Sequence, residues 1–282
     1  MAEIKYVKDS FAEYLGKKDY ISSSDIKSFM KSPKYYYYNK YQKNKGDEAE
    51  RFYQVGSALH EAILEPSKFK ENYCISPNFD RRTKQGKQDY IDFLSANQGK
   101  IQMFKNEMDI VKGMCESALK CEPLMELIQD SYRELSIYTT DDVTGLKIKL
   151  RPDIYCKNRP TIVDLKTCID SSPKDFKRNV YSFGYSISAS YYMRFSGKEN
   201  YLFCALSKNE PHEVAMYGLS DDMLEFGTKQ YRIALDLLKW SHDNDYWCSH
   251  NEFSILLNCR ELGNLDEFFE IAKNSDKITI LQ

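Results

Sequence analysis

The sequence lacks three features that would assign it to a broad class at once. Positive charge is not in excess, since 40 lysines and arginines face 42 aspartates and glutamates and leave a formal net charge of −2. No apolar run is long enough to span a bilayer, and residues 1–20 lack the apolar region of a secretory signal. We therefore expect an intracellular, cytoplasmic protein with no membrane partner. Any nucleic-acid binding would depend on a local basic groove rather than on overall charge.

Paired cysteines are also missing. The eight cysteines are scattered and no two of them form a CxxC motif, so their spacing fits neither a zinc site nor an iron–sulfur cluster. We expect free thiols in a reducing compartment.

The hydrophobic content is sufficient for a folded protein. With 42% hydrophobic residues in 282, the chain can bury a core, so we expect a folded chain and not a disordered one.

The hydrophobic pattern changes from helical to alternating in the middle of the chain. Helices are predicted near residues 22–31, 52–65, 88–96 and 104–120, with a polar loop at 77–87. Alternation predicts strands at 133–138, 146–156 and 161–167. Helices at 173–181 and 185–195, strands at 201–206 and 213–218, and a helix from 221 to about 240 follow. This order predicts an α/β fold, with a central mixed sheet flanked by helices and a helical N-terminal part.

The same pattern suggests three regions of the chain. Residues 1–20 are polar and are predicted to lie loosely on the surface as an N-terminal segment. Residues 21–247 form the main domain, and residues 248–282 are a C-terminal extension of unknown role.

Two acidic residues and a lysine lie on neighbouring predicted strands. Asp164 and Lys166 share a face because alternate residues of a strand point the same way. If the second and third strands pair as a hairpin, Asp153 converges on Asp164. Two carboxylates repel each other unless a cation lies between them, and a hard divalent metal is the natural occupant. With Lys166 beside an attacking water or a phosphate, this is the arrangement that phosphodiester hydrolysis needs.

A short acidic motif of this kind has an ordinary interpretation as well. An acid followed by D-x-K is common, and on its own it is also typical of a surface strand with a salt bridge. The longer pattern is rarer: Arg-Pro-Asp at 151–153, a short turn, and then Ile-Val-Asp-Leu-Lys-Thr at 162–167. The order of these elements favours a site.

Other polar residues also have both a functional and a structural interpretation. His60 lies on a helix flank, one turn after Gly56, and is either a ligand or a structural histidine. Glu134 shares a predicted strand face with Ser136 and Tyr138, so it either faces the site or is solvated. Basic residues that could hold DNA phosphates, or simply be solvated, are Arg81, Arg82, Lys84, Lys87, Lys149 and Arg151.

Several of these motifs, in this order, resemble the RecE-type exonucleases (exonuclease VIII), a phage and prophage branch of the PD-(D/E)xK superfamily. The similarity extends over roughly residues 20–245. The matching segments are Ile-Ser-Ser-Ser-Asp-Ile-Lys at 21–27, Ser-Pro at 32–33, Gly-Ser-Ala-Leu-His at 56–60, Leu-Glu-Pro at 64–66 and the basic loop at 81–87. They continue with Glu134, Gly145, Arg-Pro-Asp at 151–153 and Asp-Leu-Lys-Thr at 164–167.

The resemblance implies a restriction-endonuclease-like core and a role for each matching residue. His60, Asp153, Asp164 and the Leu165 carbonyl would ligate Mg²⁺ or Mn²⁺, and Lys166 would be the catalytic lysine. Glu134 would be a catalytic acid that either binds the metal or contacts its ligands. It further implies ring-shaped homo-oligomers that thread double-stranded DNA and digest one strand from its 5′ end. A single-strand annealing protein would act as a partner in recombination within a bacterial cell.

One departure from the family's pattern bears on activity. The family carries Gln and then Tyr on the helix after the D-x-K strand. Here the helix offers Tyr185, Ser188 and Tyr192, with the serine at the glutamine position. The leading hypothesis is a metal-dependent exodeoxyribonuclease acting on linear duplex ends. The alternatives are an endonuclease or single-strand nuclease, and a catalytically weakened nuclease fold that binds DNA or a host protein complex.

Overall fold

The computed structural model describes residues 3–43 and 50–250, together with 252, 253 and 257. Most of the predicted C-terminal extension, 248–282, and Cys259 therefore lie outside the described residues. The N-terminal part contains β1 (Lys5–Val7), α1 (Phe11–Gly16), α2 (Ser23–Lys31), α3 (Pro33–Tyr37) and a π-helical turn (Tyr38–Gln42). It continues with α4 (Glu50–Leu64), α5 (Pro66–Asn72), β2 (Tyr73–Ile75), α6 (Lys84–Ala96), β3 (Ile101–Met103), α7 (Lys105–Lys120) and α8 (Glu122–Gln129).

The second half supplies the main sheet and the helices that cover it. Its elements are β4 (Ser131–Arg133), β5 (Ser136–Thr140), β6 (Lys147–Leu150), β7 (Ile154–Cys156), β8 (Thr161–Cys168), α9 (Pro173–Ser182), α10 (Tyr185–Ser196), β9 (Asn200–Ser207), β10 (Val214–Tyr217) and α11 (Asp221–Asp243). Within the described residues, none of the helices is both long and apolar enough to cross a membrane.

A five-stranded mixed sheet forms the centre of the molecule. Its order is β10-β9-β8-β7-β4, and only the β8–β9 pairing within it is parallel. A parallel pair needs a crossover connection, which α9 and α10 provide here. Both faces of β8 are covered, and its residues Thr161 to Leu165 are all buried. The predicted mixed α/β fold is confirmed.

Two predicted strands are each divided in two. The prediction of one strand over 146–156 is wrong at 151–153, where Pro152 cannot donate a ladder hydrogen bond and β6 ends before β7 begins. The strand predicted at 133–138 is interrupted at Glu134, whose φ of +51° lies in the left-handed region. The break separates β4 in the main sheet from β5 in a smaller sheet of order β1-β5-β6.

Residues 3–20 pack more closely than predicted. β1 pairs with β5 in antiparallel register, Lys5 opposite Tyr138. Tyr14 of α1 is buried. The ammonium group of Lys149 donates hydrogen bonds to the carbonyls of Tyr14 and Lys17, at 2.9 and 2.8 Å. The N-terminal segment is therefore part of the fold rather than loosely attached.

α6 begins earlier than predicted, at Lys84, because Thr83 caps it by accepting a hydrogen bond from the Gly86 amide. The loop prediction for 77–87 is thus wrong for its last four residues.

Candidate active site

The hairpin of β7 and β8 brings the two predicted aspartates together. Ile154 lies opposite Val163 in this antiparallel pair, so one residue further along the register Asp153 faces Asp164. The amide of Leu165 donates a hydrogen bond of 2.7 Å to Asp153 Oδ2. That bond fixes the Asp153 carboxylate, which is only 8% exposed, at the edge of the sheet.

The side chain of His60 comes to this place from α4, more than ninety residues earlier in the chain. Its Nε2–H donates to the Leu165 carbonyl at 3.0 Å. Its Nδ1 lies 3.5 Å from Asp153 Oδ1. A histidine that ligates a metal through one nitrogen usually donates the other N–H to a carbonyl or carboxylate. The ring of His60 is held in that manner, with Nδ1 turned toward the acids.

Glu134 completes the cluster from a strained position. Its backbone is left-handed, which costs of order 1–3 kcal/mol for a residue other than glycine and persists only where its surroundings enforce it. Two hydrogen bonds hold Glu134 in this conformation, one through its backbone and one through its side chain. Its amide donates to the Asp153 carbonyl at 3.1 Å, and its carboxylate accepts from Arg151 Nε at 2.8 Å. The strain therefore serves to turn the carboxylate of Glu134 toward His60 and Asp153.

The donor atoms of His60, Glu134 and Asp153 all lie within 4.8 Å of one another. One imidazole nitrogen and two carboxylates are ligands that divalent cations such as Mn²⁺ accept, and carboxylates alone suit Mg²⁺. The chemistry of this donor set therefore fits the metal that the sequence resemblance implies.

The electrostatics of the site reflect a surplus of buried acids. Burial, reinforced by the charge of Asp153, raises the pKa of Glu134 to about 7 despite its ion pair with Arg151. Burial likewise raises the pKa of Asp164. Burial opposes the ionised form of Asp153 too, but the neighbouring His60 and Lys166 outweigh it and lower the pKa. Such mutual repulsion is what a bound cation would relieve.

His60 and Lys166 respond to the same acids. Burial alone would lower the pKa of His60, but the charge of Asp153 raises it to about 9. Burial also opposes the charge on Lys166, yet Asp164 and Asp153 together raise the pKa of its ammonium above the ordinary range. Lys166 forms an ion pair with Asp164. Its Nζ lies 5.3 Å from the centre of the Tyr185 ring.

The helix residues singled out in the sequence lie on α10, beside this pair. Tyr185 faces Lys166, and the hydroxyl of Tyr192 lies 3.4 Å from both the amide nitrogen and the carbonyl oxygen of Arg151. Ser188, at the position where the resemblance expects glutamine, is buried. A serine hydroxyl is too short to reach where a glutamine amide would.

The predicted DNA-contacting residues divide into two groups. The basic-loop residues Arg81, Arg82, Lys84 and Lys87 are exposed. Lys149 is 5% exposed and is bound to two backbone carbonyls. The side chain of Arg151 is 6% exposed and is paired with Glu134 and Asp9. The side chains of Lys149 and Arg151 are therefore engaged in contacts within the protein.

Two residues near the site were not identified from the sequence. Asp9 forms ion pairs with Lys17 and Arg151, and so connects the N-terminal segment to Glu134. No local pattern could reveal that contact, because the residues are 142 positions apart. Lys27 lies on α2 close to Tyr185. The sequence contains a sign of this position. Lys27 follows Ser23 by four residues and precedes Met30 by three, so the helical period places it on the apolar face of the helix.

The fold and this arrangement define a protein of the PD-(D/E)xK class, with a mixed sheet whose β7–β8 hairpin carries the Asp…Asp-x-Lys motif. More narrowly, the chain belongs to the family described as the PDDEXK-like domain of unknown function (DUF3799), whose model matches residues 22–254. This membership agrees with the resemblance to RecE-type enzymes seen in the sequence.

Comparison with solved structures supports the same fold. A crystal structure of a candidate exonuclease from Eubacterium rectale matches with a TM-score of 0.61 and 16% identity, covering 87% of this chain and 91% of that chain. The alkaline exonuclease of Laribacter hongkongensis matches with a TM-score of 0.32 and 8% identity, over 83% of this chain and 97% of that chain. The second similarity is too weak to support an argument. No curated protein sequence matches the chain significantly.

Proposed function

We propose that the protein is a metal-dependent exodeoxyribonuclease that degrades linear double-stranded DNA from its ends, in the 5′ to 3′ direction. The observation that carries the proposal is the convergence of His60, Glu134 and Asp153 within 4.8 Å, next to the ion pair of Asp164 and Lys166. Membership of a PDDEXK-like family supports the reaction class. The direction of digestion and a role in recombination or DNA-end processing rest on the RecE-type resemblance.

In this proposal each residue of the cluster has a distinct task. His60, Glu134 and Asp153 hold Mg²⁺ or Mn²⁺, with Asp164 as a further ligand. When bound, the metal supplies a Lewis acid for the phosphate and lowers the pKa of a coordinated water. Lys166 places a fixed positive charge next to Asp164, where it can orient a water or a phosphate oxygen.

Leu165 receives a different task from the one that the resemblance implies. Its carbonyl accepts the hydrogen bond of His60 Nε2–H, and its amide binds Asp153. We therefore infer that Leu165 orients two ligands instead of binding the metal itself.

The proposed DNA contacts are assigned to the basic side chains that are exposed to solvent. We infer that the exposed Arg81, Arg82, Lys84 and Lys87 bind backbone phosphates, since exposed basic side chains supply most non-specific affinity for DNA. Arg151 instead holds Glu134 in place, and Lys149 holds α1.

The domain limits and partners remain proposals as well. We infer a nuclease domain over residues 21–247, a ring-shaped homo-oligomer and a single-strand annealing protein as partner in a bacterial cytoplasm. These inferences rest on the sequence resemblance.

A digestion time course tests the activity. Linear duplex DNA labelled at either the 5′ or the 3′ end would be incubated with Mg²⁺ or Mn²⁺, beside covalently closed circles and an EDTA control. We expect early loss of the 5′ label from linear DNA and no cutting of circles or in EDTA. Cutting of circles would indicate an endonuclease, and preferential digestion of single strands would change the substrate.

A second function is favoured by one observation, the buried Ser188 at the expected glutamine position. It is a nuclease fold that binds DNA or a host protein complex without cutting. The same time course distinguishes it, since a folded protein that binds duplex DNA but leaves all labels intact with either metal would support the binding function.

A further inference from the structure

Lys27 occupies a position that the helical period reserves for the protein interior. α2 begins after Ser22, which forms a capping box with Asp25, and its buried residues are Ser23, Ile26 and Phe29. Lys27 follows Ile26 directly, is half-buried, and packs its stem against Gly184, the residue before α10. Placing an ammonium group in such surroundings costs free energy unless an anion compensates it.

The fold makes specific room for this side chain. Gly184, the residue before α10, is left-handed with a φ of +59°, and a Cβ added there would lie 3.2 Å from Lys27 Cδ and 3.5 Å from Lys27 Cγ. The aliphatic stem of the lysine therefore lies against a glycine. Its Nζ reaches to 6.0 Å from the centre of the Tyr185 ring, the ring that Lys166 Nζ approaches to 5.3 Å.

Asp164 attracts this second ammonium, but none of the acids in the described part of the chain forms an ion pair with it. Within residues 3–43 and 50–250, Lys27 forms no ion pair, whereas Lys166 is paired with Asp164 and Lys40 with Asp25. Burial, together with the charge of Lys166, lowers the pKa of Lys27 to about 8. Lys27 therefore places a second basic side chain beside Tyr185, without an ion-pair partner among the described residues.

Lys27 itself is half-buried, and exposed aromatic side chains lie nearby. Tyr181 and Phe183, in the segment that leads into α10, are 58% and 57% exposed. The Phe183 ring lies 5.6 Å from that of Tyr185, centre to centre. Lys27 therefore lies close to an exposed aromatic surface that adjoins Tyr185 and the acid cluster.

We propose that Lys27 binds a backbone phosphate of the DNA substrate next to the phosphate that is cut, so that Tyr185 separates two ammonium groups serving neighbouring parts of one strand. The proposal rests on the deoxyribonuclease function proposed above. Lys27 is then a substrate-binding residue, and its loss should weaken DNA binding irrespective of sequence.

The test is a binding titration of the full chain with a fluorescently labelled linear duplex in Ca²⁺, repeated over a range of KCl concentrations. Lys27→Met keeps the stem that lies on Gly184 and removes the charge, and Lys27→Arg keeps the charge. Lys31→Met is the matched control, because Lys31 is exposed on the same helix. We expect Lys27→Met to weaken binding about tenfold and to reduce the salt dependence by about one released counterion. Lys27→Arg should bind within about twofold of the parent, and Lys31→Met should retain the parent's salt dependence.

The outcomes separate this proposal from the function on which it rests. If Lys27→Met binds DNA with the same affinity and salt dependence as the unsubstituted protein, the role proposed for Lys27 is wrong, but the proposed nuclease function is unaffected. A folded parent that neither binds nor cuts DNA would overturn the proposed function and the Lys27 proposal together. If Lys27→Met does not melt cooperatively, Lys27→Gln replaces it, and the same two comparisons apply.

Discussion

The three acids of the site differ in their tendency to ionise. Glu134 and Asp164 have raised pKa values, chiefly through burial, whereas Asp153 is kept ionised by His60 and Lys166. Three carboxylates this close cannot all be ionised cheaply without a cation among them. The negative charge of these residues is therefore suited to a bound cation.

Removing Asp164 tests the centre of the site. Asp164→Ala should reduce DNA cleavage by more than about a hundredfold, because it removes a proposed ligand and the partner of Lys166. The fold should remain, since a buried acid with a raised pKa contributes little stability. Cleavage rates and circular dichroism melting would be measured together, with Asp175→Ala on the exposed start of α9 as the control. A variant that cuts as fast as the parent would show that the site is wrongly assigned.

A substitution of Glu134 tests whether this residue binds the metal or only lies near it. Glu134→Gln keeps the shape and the left-handed backbone but weakens the donor, so the Mn²⁺ concentration for half-maximal cleavage should rise about ten- to a hundredfold. Excess Mn²⁺ should restore part of the rate. Glu126→Gln, on the exposed face of α8, should leave the metal requirement unchanged. An unchanged metal requirement in Glu134→Gln would contradict its place in the donor set.

Among the helices and strands, the packing of α10 against α11 is unusually close at one point. A Cβ added to Gly227 of α11 would lie 2.2 Å from the Ser186 carbonyl oxygen. A backbone carbonyl cannot move aside as a flexible side chain can. The two helices can therefore approach only because residue 227 has no side chain, and α10 is the helix that presents Tyr185 and Tyr192 to the site.

Alanine substitutions at two helical glycines should have opposite effects. Gly227→Ala should lower the free energy of unfolding by about 1–3 kcal/mol through overpacking. Gly56→Ala should raise it by about 0.5–1 kcal/mol, because its new Cβ would meet Thr167 Oγ1 at an ordinary 3.5 Å and alanine favours the helix. Thermal and urea unfolding would measure both. Shifts of the same sign in the two variants would contradict this account of the packing.

The N-terminal segment joins the rest of the fold through Asp9. Burial raises the pKa of its carboxyl, but hydrogen bonds from Ser136, Tyr138 and Lys17 outweigh burial and lower the pKa to about 2. A folded-state pKa below the unfolded value of 3.8 means that the stabilisation is complete above about pH 4 and is lost as the pH falls toward 2.

Asp9→Asn should therefore destabilise the protein at neutral pH and much less in acid. We expect a loss of about 1–2 kcal/mol at pH 7, allowing for solvent screening, from urea unfolding monitored by circular dichroism. The difference from the parent should shrink as the pH is lowered from 5 to 3. A loss that is constant over this range would mean that the carboxylate charge is not what holds the segment.

For the whole molecule, the metal should act as a stabilising ligand as well as a cofactor. A cation that binds only the folded state at a hundred times its Kd stabilises it by about 2.7 kcal/mol. For a chain of this size that raises the Tm by about 5 °C. Differential scanning fluorimetry with Mn²⁺ or Mg²⁺, against EDTA, would measure the shift. Asp153→Asn should lose most of it, and an equal shift in that variant would indicate binding elsewhere.

The sequence by itself determined the local parts of this protein. The sequence predicts the β8 strand at 161–167, and it is found at Thr161–Cys168. The two helices after it begin at the predicted residues and end one residue later than predicted. These elements depend on periodic burial over consecutive residues. The Asp-x-Lys motif is local in the same sense, because a strand places alternate residues on one face whatever the rest of the chain does.

Only the tertiary structure decided which distant residues meet. His60 and Leu165 are 105 positions apart, and Arg151 and Asp9 are 142 apart. Short strands such as β1 form only through their partners, so periodicity could not reveal them. The burial of Lys149 and the approach of Lys27 to Tyr185 have the same cause. Whether a basic side chain faces solvent, a carbonyl or the site depends on what packs over it, and a single sequence does not contain that contact.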